Sequence, residues 1–186
     1  MKNSGRFLVL WCLLFLFASC SYQQNYVKGK EIHAKARWVA VLPLVNLTTH
    51  PNAGRIVSDL LTTEIYAKTD FQIMEQTMML EKLKGKEDDL DLVLDKTVAL
   101  KIGRHLEVDT VIFGSVTEYR YKRGLDENPV VGINIRMLDV KNDRILWASS
   151  KSGIGGCFWF CEDSLNRLAQ RVCNDLVVAM VKNNDG

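Results

Sequence analysis

The chain has 186 residues, 24 Lys and Arg against 22 Asp and Glu, 47% hydrophobic side chains and five cysteines. That length suits a single domain with its own buried core. A formal charge of +2 excludes a strongly basic nucleic-acid binder and an acidic solvating chain.

Residues 1–20 open with Lys2 and Arg6, continue with an apolar run of eleven residues, Phe7–Phe17, and close on Ala18-Ser19-Cys20. A bilayer-spanning helix needs roughly 20 apolar residues to cross about 30 Å of hydrocarbon, so this run reads as a signal-peptide core. Phe17-Ala18-Ser19-Cys20 resembles a lipobox, the cleavage motif of bacterial lipoproteins. The resemblance implies that residues 1–19 are removed, together with Cys12. Cys20 then carries a diacylglycerol thioether and an amide-linked chain of the palmitate type. Each buried methylene contributes roughly 0.8 kcal/mol, and two or more chains anchor stably where one does not. Ser21, where an aspartate would retain the protein in the inner membrane, implies the outer membrane with the domain in the periplasm. The basic residues include Lys2 and Arg6, so the chain from Cys20 onward carries 22 basic and 22 acidic groups. No electrostatic case for nucleic acid or an acidic lipid surface remains.

Residues 21–36 are polar and mixed and read, after Cys20, as a short tether of at most about 53 Å at roughly 3.3 Å per residue. The domain then spans residues 37–183. Trp38–Val45 is a nearly continuous apolar run, as in a strand covered on both faces. Residues 46–52 are turn chemistry. Ala53, Ile56, Val57, Leu60, Leu61 and Ile65 fall at helical spacing, and Phe71–Met74 reads as a second strand. These elements make a βαβ unit, which predicts parallel strands. Thr77–Leu83 is a short helix, Lys84–Asp91 a charged stretch, and Asp95–Leu106 a helix with Val98, Ala99, Ile102 and Leu106 on one face. Thr110–Tyr119 and Val130–Val140 are strands. Lys141-Asn142-Asp143 turns the chain into Arg144–Ser150 as an antiparallel hairpin. Ser164–Lys182 is a helix with a clean stripe: Leu165, Leu168, Ala169, Val172, Cys173, Leu176, Ala179 and Met180. The predicted class is α/β: one domain with a mixed sheet of about five strands, in the order β-α-β-α-α-β-β-β-α, flanked by helices.

Catalytic chemistry is hard to find in this pattern. His33, His50 and His105 share no metal-ligand spacing, and no phosphate-binding Gly-Lys-Ser/Thr loop or nucleophile elbow occurs. Gly153-Ile154-Gly155-Gly156 precedes a helix but lacks the lysine of a phosphate loop. Glu87-Asp88-Asp89 and Asp91 read as a solvated loop. No catalytic residue, metal, cofactor or small-molecule substrate is assigned, and a non-enzyme is expected. The unusual stretch is Cys157-Phe158-Trp159-Phe160-Cys161. A disulfide between Cys157 and Cys161 needs Cα atoms within about 6.8 Å and would hold Phe158, Trp159 and Phe160 as an apolar tip for a partner or membrane. The other reading has the aromatics starting the last helix and packing on the sheet with both thiols unpaired. Cys173, inside the apolar stripe, reads as a small buried hydrophobe.

Val39-Ala40-Val41-Leu42-Pro43-Leu44-Val45-Asn46-Leu47-Thr48, Asp59 to Glu64, Phe71 to Glu75, Asp109 to Glu118, Ile133 to Val140 and Ile145-Leu146-Trp147 together resemble the CsgG family of curli secretion lipoproteins over about residues 38–182. The resemblance implies an outer-membrane lipoprotein with a periplasmic α/β domain, often assembled into rings. Secretion members carry two long hairpins that build a transmembrane barrel. The corresponding places here hold only Arg120–Pro129 and Lys151–Asp163, and a hairpin of two spanning strands needs twenty or more residues. The core is also similar to LpoB, a lipoprotein activator of a peptidoglycan synthase, and to the amino-terminal domain of TolB. The expectation is a scaffold or accessory without its own pore, serving secretion or cell-envelope assembly, with an envelope protein partner and a homo-oligomer. The LpoB-like activator and a ring-forming component of a curli-type channel are the alternatives.

Overall fold

A computed structural model of the chain describes residues 23–27, 38–85, 94–122, 128–156 and 163–182. Among the described residues seven strands and four helices follow one another as β1 (Gln23–Val27), β2 (Trp38–Val41), β3 (Val45–Asn46), α1 (Ala53–Lys68), β4 (Gln72–Ile73), α2 (Gln76–Lys82), α3 (Lys96–Leu106), β5 (Thr110–Tyr121), β6 (Pro129–Asp139), β7 (Arg144–Ile154) and α4 (Leu165–Lys182). The strands form one mixed sheet in the order β1-β7-β6-β5-β2-β4, with β3 also on β5. The α/β class, the single sheet and the parallel pairing of β2 with β4 agree with the expectation from sequence.

Two differences have clear physical causes. The first apolar run is two strands, because Pro43 has no N–H for the ladder. Leu42 still donates to the Ile112 carbonyl at 2.9 Å, but the Leu44 N–H turns to the Ser58 hydroxyl at 2.8 Å. Pairing on β5 resumes at Val45 opposite Ser115. The second difference concerns the tether. Five of its residues form β1, an antiparallel outer strand that sets Gln23 opposite Lys151 and Val27 opposite Trp147.

Two apolar layers sandwich the sheet. On one face α1 and α4 cover Val39, Val41, Ile112, Val116, Ile133, Ile135, Met137 and Trp147. On the other, α2 and α3 cover Ala40, Leu42, Val111, Phe113 and Leu138. The stripe predicted for the last helix is buried along Leu165, Leu168, Ala169, Val172, Cys173, Leu176 and Met180, and each of its buried leucine, valine and methionine side chains contributes about 1.5–3 kcal/mol. Acidic side chains start the two shorter helices. Glu75 accepts from the Thr77 N–H at 2.6 Å and Asp95 accepts from the Thr97 N–H at 2.6 Å, each satisfying an amide that the helix leaves free. The Thr77 hydroxyl and N–H hold the Glu75 carboxyl, and the Thr97 N–H and hydroxyl the Asp95 carboxyl, below the usual carboxylate range.

Candidate interaction surfaces

The two helix layers do not cover the sheet equally. On the α3 side, β5, β6 and β7 leave a polar strip beyond Phe113. Ser115, Asn134 and Ser150 are cross-strand partners there. Ser150 Oγ donates to Asn134 Oδ1 at 2.5 Å, and Asn134 Nδ2 donates to Ser115 Oγ at 3.5 Å. The cleft over them is about 550 Å³ and is bounded by Leu94 and Arg136, whose Nη1 donates to the Leu94 carbonyl at 3.3 Å. Such a surface offers hydroxyls, an amide and a guanidinium.

A second groove, about 710 Å³, runs between α4 and the end of β7. Its charges answer one another. Lys151 Nζ lies 2.7 Å from Asp175, Arg171 pairs with Asp163, and Glu64 accepts from Lys68 and from Asn174 Nδ2 at 3.3 Å. The α4 side of the domain is thus tied to β7 by the Lys151–Asp175 ion pair and to α1 by the Asn174–Glu64 hydrogen bond.

The third surface is the end of the sheet at which β3, β5 and β7 finish. Pairing sets Asn46, Val116, Ile133, Lys151 and Gln23 in one row across five strands. Beyond that row stand Leu47 (54% exposed), Tyr121 (44%) and Ile154 (64%). Behind it the loop into α1 is tightly bonded. Asn46 Nδ2 donates to the His50 carbonyl at 2.8 Å, and the Thr48 N–H donates back to Asn46 Oδ1 at 3.0 Å. The His50 ring stands edge-on to Tyr119, centroids 4.8 Å apart at 62°. The Tyr119 hydroxyl donates to Asn166 on α4. Burial, with Tyr121 and Cys173 adding to it, pushes the Tyr119 phenol up, so this Tyr stays a neutral donor.

The histidines are accordingly structural where they are described. His50 packs on Tyr119, and His105 Nε2 meets the Lys82 carbonyl at 3.0 Å, joining α3 to α2. Among the described residues no group of His, Cys, Asp and Glu could hold a metal, and no helix is long and apolar enough to cross a membrane. Cys173 is buried, and burial followed by the nearby Glu64 carboxylate pushes its thiol up to about 12. Cys20, the candidate disulfide partners Cys157 and Cys161, the aromatic trio Phe158, Trp159 and Phe160, His33 and the acidic stretch 87–91 lie outside the described residues. Sequence reasoning missed the Ser115–Asn134–Ser150 strip. Its signal was the polar Asn134 and Arg136 alternating with the apolar Ile133, Ile135 and Met137 along one strand.

No protein-family model and no curated protein matches the chain. Solved structures do. The chain is similar to the PelC dodecamer from Paraburkholderia phytofirmans, with 22% identity, 84% of this chain and 94% of that chain covered, and a TM-score of 0.61. It is also similar to lipoprotein GNA1162 from Neisseria meningitidis, with 21% identity, 78% and 96% covered, and a TM-score of 0.56. These likenesses show the fold. The LpoB C-terminal domain from Salmonella enterica aligns more loosely, at 12% identity over 66% of this chain and 84% of that chain with a TM-score of 0.44.

Proposed function

We propose that the chain is an outer-membrane lipoprotein, anchored through Cys20 and facing the periplasm, that serves without catalysis as a subunit of a multimeric accessory in secretion or envelope assembly. The observation that carries this reading is the likeness of nearly the whole domain to the PelC dodecamer, joined to a lipobox-like start. GNA1162, a lipoprotein of the same fold, supports the envelope setting. The CsgG-like resemblance belongs to this reading. Without the two long hairpins the chain builds no pore of its own, which sets a curli-type channel component aside. The contact surfaces we assign are the sheet edges and the stretch Phe158–Phe160, meeting an envelope protein or neighbouring copies.

The LpoB-like alternative is weakened by β1. With Gln23 already paired to β7, only Ser21 and Tyr22 separate Cys20 from the sheet. An activator held at the outer membrane has to reach an inner-membrane synthase, and two residues extend less than about 10 Å.

Cell fractionation of the wild-type chain beside Cys20→Ala tests the anchor. The wild type is expected in the membrane fraction with an acyl-modified N-terminal peptide, and the variant in the soluble fraction or unprocessed. A wild-type chain that is soluble and starts unmodified overturns the reading.

A further inference from the structure

We infer that the end of the sheet carrying Leu47, Tyr121 and Ile154 lies on the lipid surface, so that the domain stands upright on its membrane rather than hanging from it. This inference rests on the anchor reading above. It follows from where the chain outside the described residues begins. β1 runs antiparallel to β7, with Gln23 opposite Lys151 and Val27 opposite Trp147. The strand therefore enters from the end at which β7 finishes, at Ile154, three residues past Lys151. Cys20 precedes Gln23 by three residues, which extend at most about 10 Å. An acyl group on Cys20 consequently brings the bilayer surface within about that distance of Gln23, at the β1 end of the row that joins Asn46, Val116, Ile133, Lys151 and Gln23.

Beyond that row, three different elements leave a large apolar side chain in solvent: Leu47 after β3, Tyr121 at the end of β5 and Ile154 at the end of β7. Tyr121 and Ile154 stand at nearly one level, opposite Pro129 and Val130 of β6, and Leu47 lies about four residues, roughly 13 Å, nearer the row. A tyrosine with an apolar ring and a wet hydroxyl suits the boundary between headgroups and acyl chains. The opposite end of the sheet is made differently. There Asp139 accepts two hydrogen bonds from Asn142, Lys96 pairs with Asp143, and the turn Lys141-Asn142-Asp143 is exposed and polar. The row from Asn46 to Gln23 thus separates the polar turn at residues 141–143 from an end with three exposed apolar side chains beside the entry of the lipid-bearing segment; the other exposed large apolar residues, Tyr66, Met78, Leu80 and Leu94, lie on α1, on α2 and just before α3.

Site-directed spin labelling of the acylated protein in vesicles of phosphatidylethanolamine and phosphatidylglycerol tests the orientation. A nitroxide is placed singly at Leu47→Cys, Tyr121→Cys, Ile154→Cys or Lys141→Cys, in a background with Cys157→Ser and Cys161→Ser. Each variant is checked for an unchanged melting temperature. Upright docking predicts that labels at positions 47, 121 and 154 become severalfold less accessible to a soluble nickel chelate, and more accessible to oxygen, than in the unacylated Cys20→Ser chain free in solution. The label at position 141 stays unchanged. An acylated, vesicle-bound protein whose three labels remain as open to the chelate as position 141 overturns this inference and leaves the anchor intact. A protein that carries no acyl group and does not float with vesicles overturns both.

Discussion

Gln23 faces Lys151 across the outermost pair of strands, so the part of the chain expected to tether the domain is built into its sheet. The outer strand Gln-Gln-Asn-Tyr-Val joins β7 through its backbone ladder. The pairing predicts slowed amide exchange. The bonded amides within residues 23–27 should exchange at least about tenfold slower than a free chain. Free-chain exchange throughout the segment would return it to a tether.

Ser58 joins α1 to the interruption between β2 and β3. Its buried hydroxyl accepts from the Leu44 N–H at 2.8 Å and donates to the Gly54 carbonyl at 2.7 Å. Ser58→Ala strands a buried amide, and the expected loss is about 1–3 kcal/mol of stability, measured by urea unfolding. Gly54→Ala should cost more, because its Cβ would stand 1.9 Å from the Leu44 carbonyl oxygen. A Ser58→Ala variant as stable as the wild type would mean that the Leu44 amide finds another partner.

Acid should loosen the far end of the sheet. Burial alone would push the Asp139 carboxyl up, but donors on Asn142, with Arg144 and the Lys141 backbone, hold it below its ordinary 3.8. A carboxyl depressed in the folded state stabilises the fold above its ordinary value and loses that stabilisation as pH falls through the folded value. Melting temperature should therefore drop between about pH 5 and pH 3, and Asp139→Asn should flatten the drop while lowering stability near neutral pH. Glu75 and Asp95, shifted in the same direction, leave part of the slope in place. An Asp139→Asn variant with the full wild-type slope would assign the acid response elsewhere.

Cys173 should be chemically silent. With its thiol pushed up to about 12 by burial and Glu64, only about one molecule in ten thousand is thiolate at pH 8. In a Cys157→Ser, Cys161→Ser background an aromatic disulfide reagent should find no fast-reacting thiol on the folded mature chain and one after denaturation. Rapid labelling of the folded chain would mean that α4 opens readily.

The helices and inner strands were legible because burial writes a period. The α4 stripe at Leu165, Leu168, Val172 and Leu176 and the alternation Ile133, Ile135, Met137 each record one covered face. β1 was not legible, since an edge strand of Gln and Asn can pair through its backbone without any apolar period. The last residues of β7, Lys151 to Ile154, were missed for a related reason. Their strand form comes from pairing with β6, Lys151 on Ile133 and Ile154 on Val130, and no local pattern announces it. The interaction surfaces were the least legible. Leu47, Tyr121 and Ile154 lie far apart in sequence, and only the strand register sets them at one end of the sheet.

The claim of an anchored, multimeric accessory meets its most direct test in native mass spectrometry of the detergent-extracted mature protein. The expected result is one large closed assembly whose subunits each begin at Cys20 and carry its acyl chains. A single acylated copy would contradict the assembly and turn the reading to a regulator that binds one partner. A subunit with an unmodified Cys20 would contradict the anchor, and with it the upright orientation on the membrane.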